Sequence, residues 1–387
     1  MSNTLNPILD KIIARANLSL RPNLNFIMQA NRDYKAEVAQ KGDVINIPRD
    51  APSEATDVVP SGNRDDVLPD DDLGNDQMRI NQWKEVKFSL NDKERRNIDV
   101  QAHYLPMVIH SKVRALAEAA EKYTANRYVE LYNYVGTAGT TPFTTNQQGV
   151  VDASKVLNDN HNEHANRAFL MDTSAEAKAM MLDIFSDVSK AGSTDVKVNG
   201  ALGQKFGFNN VVSTFIPTHT TGTAGTVLAA GAQAAADATT VDADTGVSTT
   251  TLDVDGLSGQ PIAGDKFTIA GNTQQYVVAK STTISTTAST LTIKPAIAAD
   301  VANDAALTFV GNHVANVAMH SRALTFAQRE LEHDSVTNVH ISQMRDAVSG
   351  LSLRLEAGRA NKADVYSMDL LYDAKYVNPE SAVIVLG

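Results

Sequence analysis

The sequence predicts an α+β protein, and three observations carry that reading. Leu105, Ile109, Val113, Leu116, Ala120 and Tyr123 recur at three- and four-residue intervals with Glu, Lys and Arg between them, the pattern of one long amphipathic helix. Two shorter helical patterns, near residues 152–165 and 174–190, are split by "RAFLMD", which reads as a buried strand. Residues 222–309 hold short strand-like runs, "TTLDV", "DKFTIA", "QYVVA" and "TLTIKPAI", separated by Gly and Asn turns. Together these blocks make a mixed protein with a separate β-rich unit.

Composition bounds what such a protein does. The 387 residues exceed the usual size of one domain, so two or three compact units are expected. Hydrophobic residues at 43% and charged residues at 20% are ordinary for a folded chain. There is no cysteine, which excludes disulfides, thiolate metal sites and cysteine nucleophiles and suits a reducing compartment. Asp10, Lys11 and Arg15 interrupt the first apolar residues, and no window reaches the ~18 apolar residues of a membrane span. A soluble protein made in the cytoplasm, with no membrane partner, is the expectation. The net charge of −11 argues against a broad grip on nucleic acid, which needs clustered Lys and Arg.

Along the chain, residues 5–20 suggest an amphipathic helix in a terminal arm. Within residues 1–35, Lys11, Arg15, Arg21, Arg32 and Lys35 stand against Asp10 and Asp33, so five positive minus two negative charges gives +3. "KGDVINIPRD" reads as a strand leaving a tight turn, and "WKEVKFSL" as a second strand. Between them, residues 50–76 hold nine Asp or Glu and one Arg, so this run buries little and must project as a loop or hairpin. Its densest part, "VLPDDDLGND", contributes Asp70, Asp71, Asp72 and Asp76. The long helix is expected from about Pro106 to about Tyr134, with Gly136 as its stop. Composition shifts at "PTHTTGTAGT": residues 222–309 are rich in Thr, Ala, Gly, Ser and Asp and carry only Lys266, Lys280 and Lys294 as cations. Past 310 the earlier composition returns, so the β unit reads as inserted into a domain that resumes after it.

No motif carries catalysis. "PDDDLGND" has the acid density of a calcium loop, but counting from Gly74 puts Pro69 first and Ile80 twelfth, where an EF-hand needs carboxylates. His161 and His164 in "HNEH" have a spacing that can hold zinc on a helix but lack a third ligand nearby. The other histidines (His103, His110, His219, His313, His320, His333 and His340) are scattered and read as core or surface residues. "GTAGT", at 136 and again at 222, lacks the lysine of a phosphate loop, and no Gly-x-Ser-x-Gly elbow occurs. No catalytic residue, cofactor or metal is expected.

Six blocks together resemble the major coat proteins of tailed bacteriophages, of the type with an inserted β domain found in the phage P-twenty-two coat. They are "KGDVINIPRD", "IHSKVRALAEAAEKY", "PTHTTGT", "GDKFTIAG" with "TLTIKPAI", "HSRALTFAQREL" and "LLYDAKYVNPESAVIVLG". The resemblance implies the Hong Kong 97-type capsid fold. Residues 1–35 would form the N-terminal arm and 36–100 the extended loop with supporting strands. Residues 101–221 would form the peripheral domain with its spine helix and the first part of the axial domain. The inserted β domain would be 222–309, and 310–387 the remainder of the axial and peripheral domains. It further implies self-assembly as hexamers and pentamers of a shell around DNA, with a scaffolding protein, a portal and a possible decoration protein as partners. No lysine–asparagine cross-linking pair aligns, so no covalent cross-link is expected. On this reading Asp70, Asp71, Asp72 and Asp76 are offered to the next subunit, and Arg15 and Arg21 face inward toward neighbours or an acidic scaffold. The rival reading is an open surface-layer or adhesin-like array protein, suggested by the Thr- and Ala-rich β region.

Overall fold

A computed structural model describes residues 24–32, 44–49, 74–93, 104–187, 199–222, 227–229, 240–241, 248–255, 259–280, 289–297, 299–331, 339–345 and 350–387. The long helix spans Tyr104–Ala125 and buries Val113, Leu116, Ala117 and Ala120 on one face. Alanine at two of these positions lets the helix lie close on the sheet beneath it. The helix ends earlier than its periodicity predicts, passing into a 3-10 turn, Asn126–Glu130, and then extended backbone at Leu131. Tertiary partners explain the change. Arg127 is drawn toward Asp373 and Tyr128 toward His219, directions that a continuing α-helix would not serve both at once.

The sheet beneath the helix is antiparallel and organised on one long strand, Ala363–Tyr376. Gln82–Asn91 pairs with residues 363–372 of it, and Leu324–Arg329 with residues 371–376. Gln82–Asn91 holds one side of the long strand, and Ser352–Ala360 lies end to end with Leu324–Arg329 on the other, with Val339–Arg345 beyond it. A two-stranded ribbon, Val44–Arg49 against Gly74–Arg79, is capped onto the far side of this sheet. Its Ile45, Ile47 and Met78, with Ile80 just beyond, pack on Ala327, Leu371 and Val377.

A second sheet mixes parallel and antiparallel pairs in the order Tyr134–Val135, Ala382–Leu386, His313–His320, Arg167–Met171, Phe208–Val212, Gln204–Lys205. Every residue of Arg167–Met171 is buried, as a strand covered on both faces requires. Two helices flank it. The first, Gln148–Asp159, starts and stops before the expected 152–165, because His161 takes a positive φ and Arg167 gathers the turn through Asn162 and Glu163 carbonyls at 2.6 and 2.7 Å. The second begins at Thr173 behind an Asp172 cap that accepts from the Ser174 and Ala175 amides. It breaks at extended Leu182 and resumes only as Asp183–Ser186, which turns Phe185 inward onto Phe143 and Phe206.

Residues 227–309 contribute a seven-stranded antiparallel sheet. Six strands, 248–255, 289–294, 275–280, 266–269, 306–309 and 227–229, form a ring, since 227–229 pairs with both 306–309 and 248–255. The ring is a closed barrel, which leaves no edge within it for stray pairing. Its filling is its own: Leu252, Val254, Phe267, Tyr276, Val278, Leu291 and Ile293 belong to a cluster separate from that of the long helix. The strand patterns of "KFTI" and "YVVA" show in the sequence, but the closure does not, because alternation says nothing about which strands pair.

Candidate functional site

Of the acidic residues in "VLPDDDLGND", only Asp76 lies among the described residues, as do neither Arg15 nor Arg21; Asp70, Asp71 and Asp72 lie outside them. Asp76 opposes Ile47 on the inward side of the two-stranded ribbon. Its carboxylate lies 3.3 Å from the amine of Lys375, which also donates to the Gln77 carbonyl at 2.8 Å. Within one subunit, Asp76 therefore anchors the root of the acidic loop to the long strand. His161 and His164 are exposed on the turn after the first flanking helix, not on a helix face. Among the described residues no group of His, Asp or Glu is arranged to hold a metal, and no helix is long and apolar enough to cross a membrane.

The open face of the long-stranded sheet presents Trp83, 47% exposed, whose indole N–H donates to Asp369 at 2.9 Å. Arg354 bridges the same Asp369 and Glu356 from the next strand.

Two buried junctions were not found by motif. The first is Glu121, fully buried on the long helix. Its carboxylate accepts the amides of Asn25, Phe26 and Ile27 at 2.9, 2.6 and 3.4 Å, the first residues of the short helix Asn25–Gln29. Burial pushes its carboxyl up to about 7, with those amides pulling the other way. Its position was a usable signal: four residues after Ala117 and one after Ala120, it sits at the margin of the apolar stripe.

The second joins the barrel to the body. Asp265, at the start of the barrel strand Lys266–Ile269, is fully buried and accepts from the amides of Gly222 and Ile262 and from His219 Nε2 at 2.8 Å. A carboxylate only accepts, so Nε2 carries the proton and Nδ1 accepts from the Tyr128 hydroxyl at 2.7 Å in the neutral ring. Burial and the Asp265 charge push the Tyr128 phenol up to about 12. Lys266 is fully buried too: its amine donates to the Gly264 carbonyl at 3.1 Å, lies 5.4 Å from the centre of the Tyr128 ring, and is pulled down to about 7 by burial against the opposing pull of Asp265. The His313 ring lies 5.1 Å from that of His219 and is pulled down to about 4, by burial first and also by the neighbouring Lys266 charge. A further tie comes from Gln275, which bonds both the amide and the carbonyl of Tyr134 at 2.7 and 2.9 Å. Close approach here demands glycine: at Gly264, φ +98, a Cβ would meet Val129 at 2.9 Å and His219 at 3.1 Å.

A body of one long helix on a long-stranded antiparallel sheet, beside one mixed sheet flanked by helices, defines the class: this is the Hong Kong 97-type capsid fold. In particular, the structure titled Mycobacterium phage Che8 matches over 94% of this chain and 91% of that chain, at TM-score 0.52 and 13% identity. The capsid structure of the cyanophage P-SCSP1u matches over 94% and 88%, at TM-score 0.48 and 10% identity. A virus-like particle from Pyrococcus furiosus matches over 97% and 98%, at TM-score 0.44 and 8% identity. No protein-family model and no curated protein matches the chain in sequence.

Proposed function

We propose that the chain is the major capsid protein of a tailed phage, many copies of which build the icosahedral head around a double-stranded DNA genome. The observation that carries this is the fold match to the Che8 structure over nearly the whole of both chains. The net charge of −11 fits a wall that encloses DNA without gripping it. Trp83 and the paired charges around Asp369 supply a surface on which neighbouring copies can pack. Negative-stain microscopy of the purified protein tests the reading: closed, uniform shells are expected, and flat lattices or monomers under all assembly conditions would overturn it.

Several finer features belong to this proposal. The subunits group as hexamers and pentamers, with a scaffolding protein, a portal and a decoration protein as partners, and the shell assembles in the host cytoplasm and persists in the virion. No enzymatic step is assigned to it. Residues 222–309 act as an inserted β domain, supported by the barrel's separate core. Asp70, Asp71 and Asp72 reach a basic surface on the next subunit, while Arg15 and Arg21 face inward. Deleting residues 1–20 should leave a soluble subunit that assembles poorly; normal particles would rule out a role for the arm.

A further inference from the structure

The barrel meets the body through a chain of side chains contributed by four separate elements. Asp265 and Lys266 come from the barrel strand, Tyr128 from the 3-10 turn after the long helix, His219 from the strand Thr218–His219, and His313 from the first residue of His313–His320. His219, Asp265 and Lys266 are essentially inaccessible, as is His313 at 2% exposure. The Asp265–His219 bond runs from barrel to body while His219–Tyr128 lies within the body, so the Asp265 end of the cluster is made only while the two are docked.

Within it, His313 is placed to register a proton. Its Nδ1 faces the Gly311 carbonyl at 2.9 Å and so carries hydrogen, and Nε2 is buried with no hydrogen-bond partner among the described residues. In the neutral ring that Nε2 is an uncharged acceptor. Protonation would create a charged donor with no acceptor, beside His219 and Lys266. Among the described residues the titratable groups facing it are His219, Lys266, Asp265 and, through His219, Tyr128. With His313 protonated, one carboxylate would face two cations, His313 and Lys266, in a buried space. Docking would then be opposed by desolvated like charges.

We propose that the Asp265–His219–Tyr128 chain, with Lys266 and His313 beside it, is a proton-operated latch that holds the barrel on the subunit body at neutral pH and lets it go on acidification. The sign follows from the direction of the His313 shift. A histidine whose folded value lies below its ordinary one stabilises the docked state fully above about pH 6.5, and that contribution is lost as pH falls toward 4. The latch is a property of the folded subunit and stands whether or not the chain builds shells.

Amide hydrogen exchange on the full-length subunit, measured from pH 7.5 to pH 4.5 and corrected for intrinsic exchange, tests it. The reporting amides are Gly222, which donates to Asp265, and Tyr134, which donates to Gln275. Between pH 6.5 and 4.5 their exchange should rise by roughly tenfold or more, one pKa unit of lost preference. Amides within the barrel strands Ser248–Asp255 and Ser289–Lys294 should keep their protection. His313→Asn, which retains a donor for the Gly311 carbonyl but cannot take the proton, should flatten the profile. Undiminished protection at Gly222 and Tyr134 down to pH 4.5 would overturn the latch, as would loss of protection in the barrel strands at the same pH, which is unfolding and not release. A His313→Asn profile identical to that of the unmodified chain would also overturn it. Should that variant fail to fold, the profile of the unmodified chain alone decides between retention and release.

Discussion

Glu121 and Asp265 are both fully buried carboxylates that tie a separate piece of chain to the subunit body, yet their charges are met differently. Glu121 receives three backbone amides and, among the described residues, no cation, and burial drives its carboxyl up to about 7. Asp265 receives two backbone amides and an imidazole N–H, with an ammonium one residue away. Backbone dipoles alone hold the short helix Asn25–Gln29 in place but leave the carboxylate close to taking a proton. At the barrel junction the burden of titration falls instead on the bases around the carboxylate. The two junctions should therefore answer acid in opposite senses, one tightening while the other loosens.

The largest expected effect is at Asp265. Asp265→Ala strands the Gly222 and Ile262 amides and the His219 N–H at a buried site, and should cost about 3–5 kcal/mol at neutral pH, read as a lowered urea midpoint. An effect under about 1 kcal/mol would mean that the junction is not under the strain its burial implies.

Glu121→Gln comes next and sharpens the contrast. The raised carboxyl favours the folded state below its ordinary value of 4.5, and that contribution is lost as pH rises through about 7. Over that span the unmodified chain should gain up to about 3 kcal/mol on acidification from this group, an order-of-magnitude figure, while Glu121→Gln shows no such gain. Unfolding curves at pH 8, 7, 6 and 5 compare the two. Parallel curves would show that the three amides keep the carboxylate charged throughout.

Gln275→Ala removes both bonds to the Tyr134 backbone and should cost about 1–2 kcal/mol, with barrel strands unaffected and exchange at the Tyr134 amide raised. If exchange in Ser289–Lys294 rose equally, barrel and body would unfold as one unit, and the difference between the two junctions would not reach the level of separate pieces.

How much of this was legible in the sequence divides along the same line. The long helix, the buried strand Arg167–Met171 and the barrel strands Lys266–Ile269 and Gln275–Lys280 follow from local periodicity, which a single stretch of chain carries by itself. The end of the long helix was misplaced because it is set by Asp373 and His219, far away in sequence. The barrel junction was invisible for the same reason: Tyr128, His219, His313 and Asp265 each look ordinary until the fold brings them together. The histidines read as scattered core or surface residues; His219 and His313 are core residues that face one another. Asp76 read as one more member of an acidic run, since nothing local distinguishes a carboxylate that meets Lys375 from one that meets water.

The smallest expected effect on the subunit itself is at Asp70, Asp71 and Asp72, and it marks the other limit of the comparison. Three adjacent carboxylates in a polar, acidic run repel one another, so replacing all three with lysine should change the unfolding free energy of the isolated subunit by no more than about 0.5 kcal/mol. The same substitution reverses the sign of a surface which, on the capsid reading, meets a basic partner. Each exposed ion pair there would contribute only ~0–1 kcal/mol, but a shell repeats the contact in every subunit, and weak repeated contacts let errors anneal before closure. Light scattering and microscopy across a salt series should show assembly of the unmodified protein weakening as salt rises, and the triple lysine variant failing or building aberrant particles. A triple asparagine variant separates charge from loop shape: intermediate assembly with little salt dependence is expected. If both variants built normal shells at the unmodified rate at every salt concentration, the acidic loop would be solvated surface and the carboxylates that matter in this chain would be the buried ones alone.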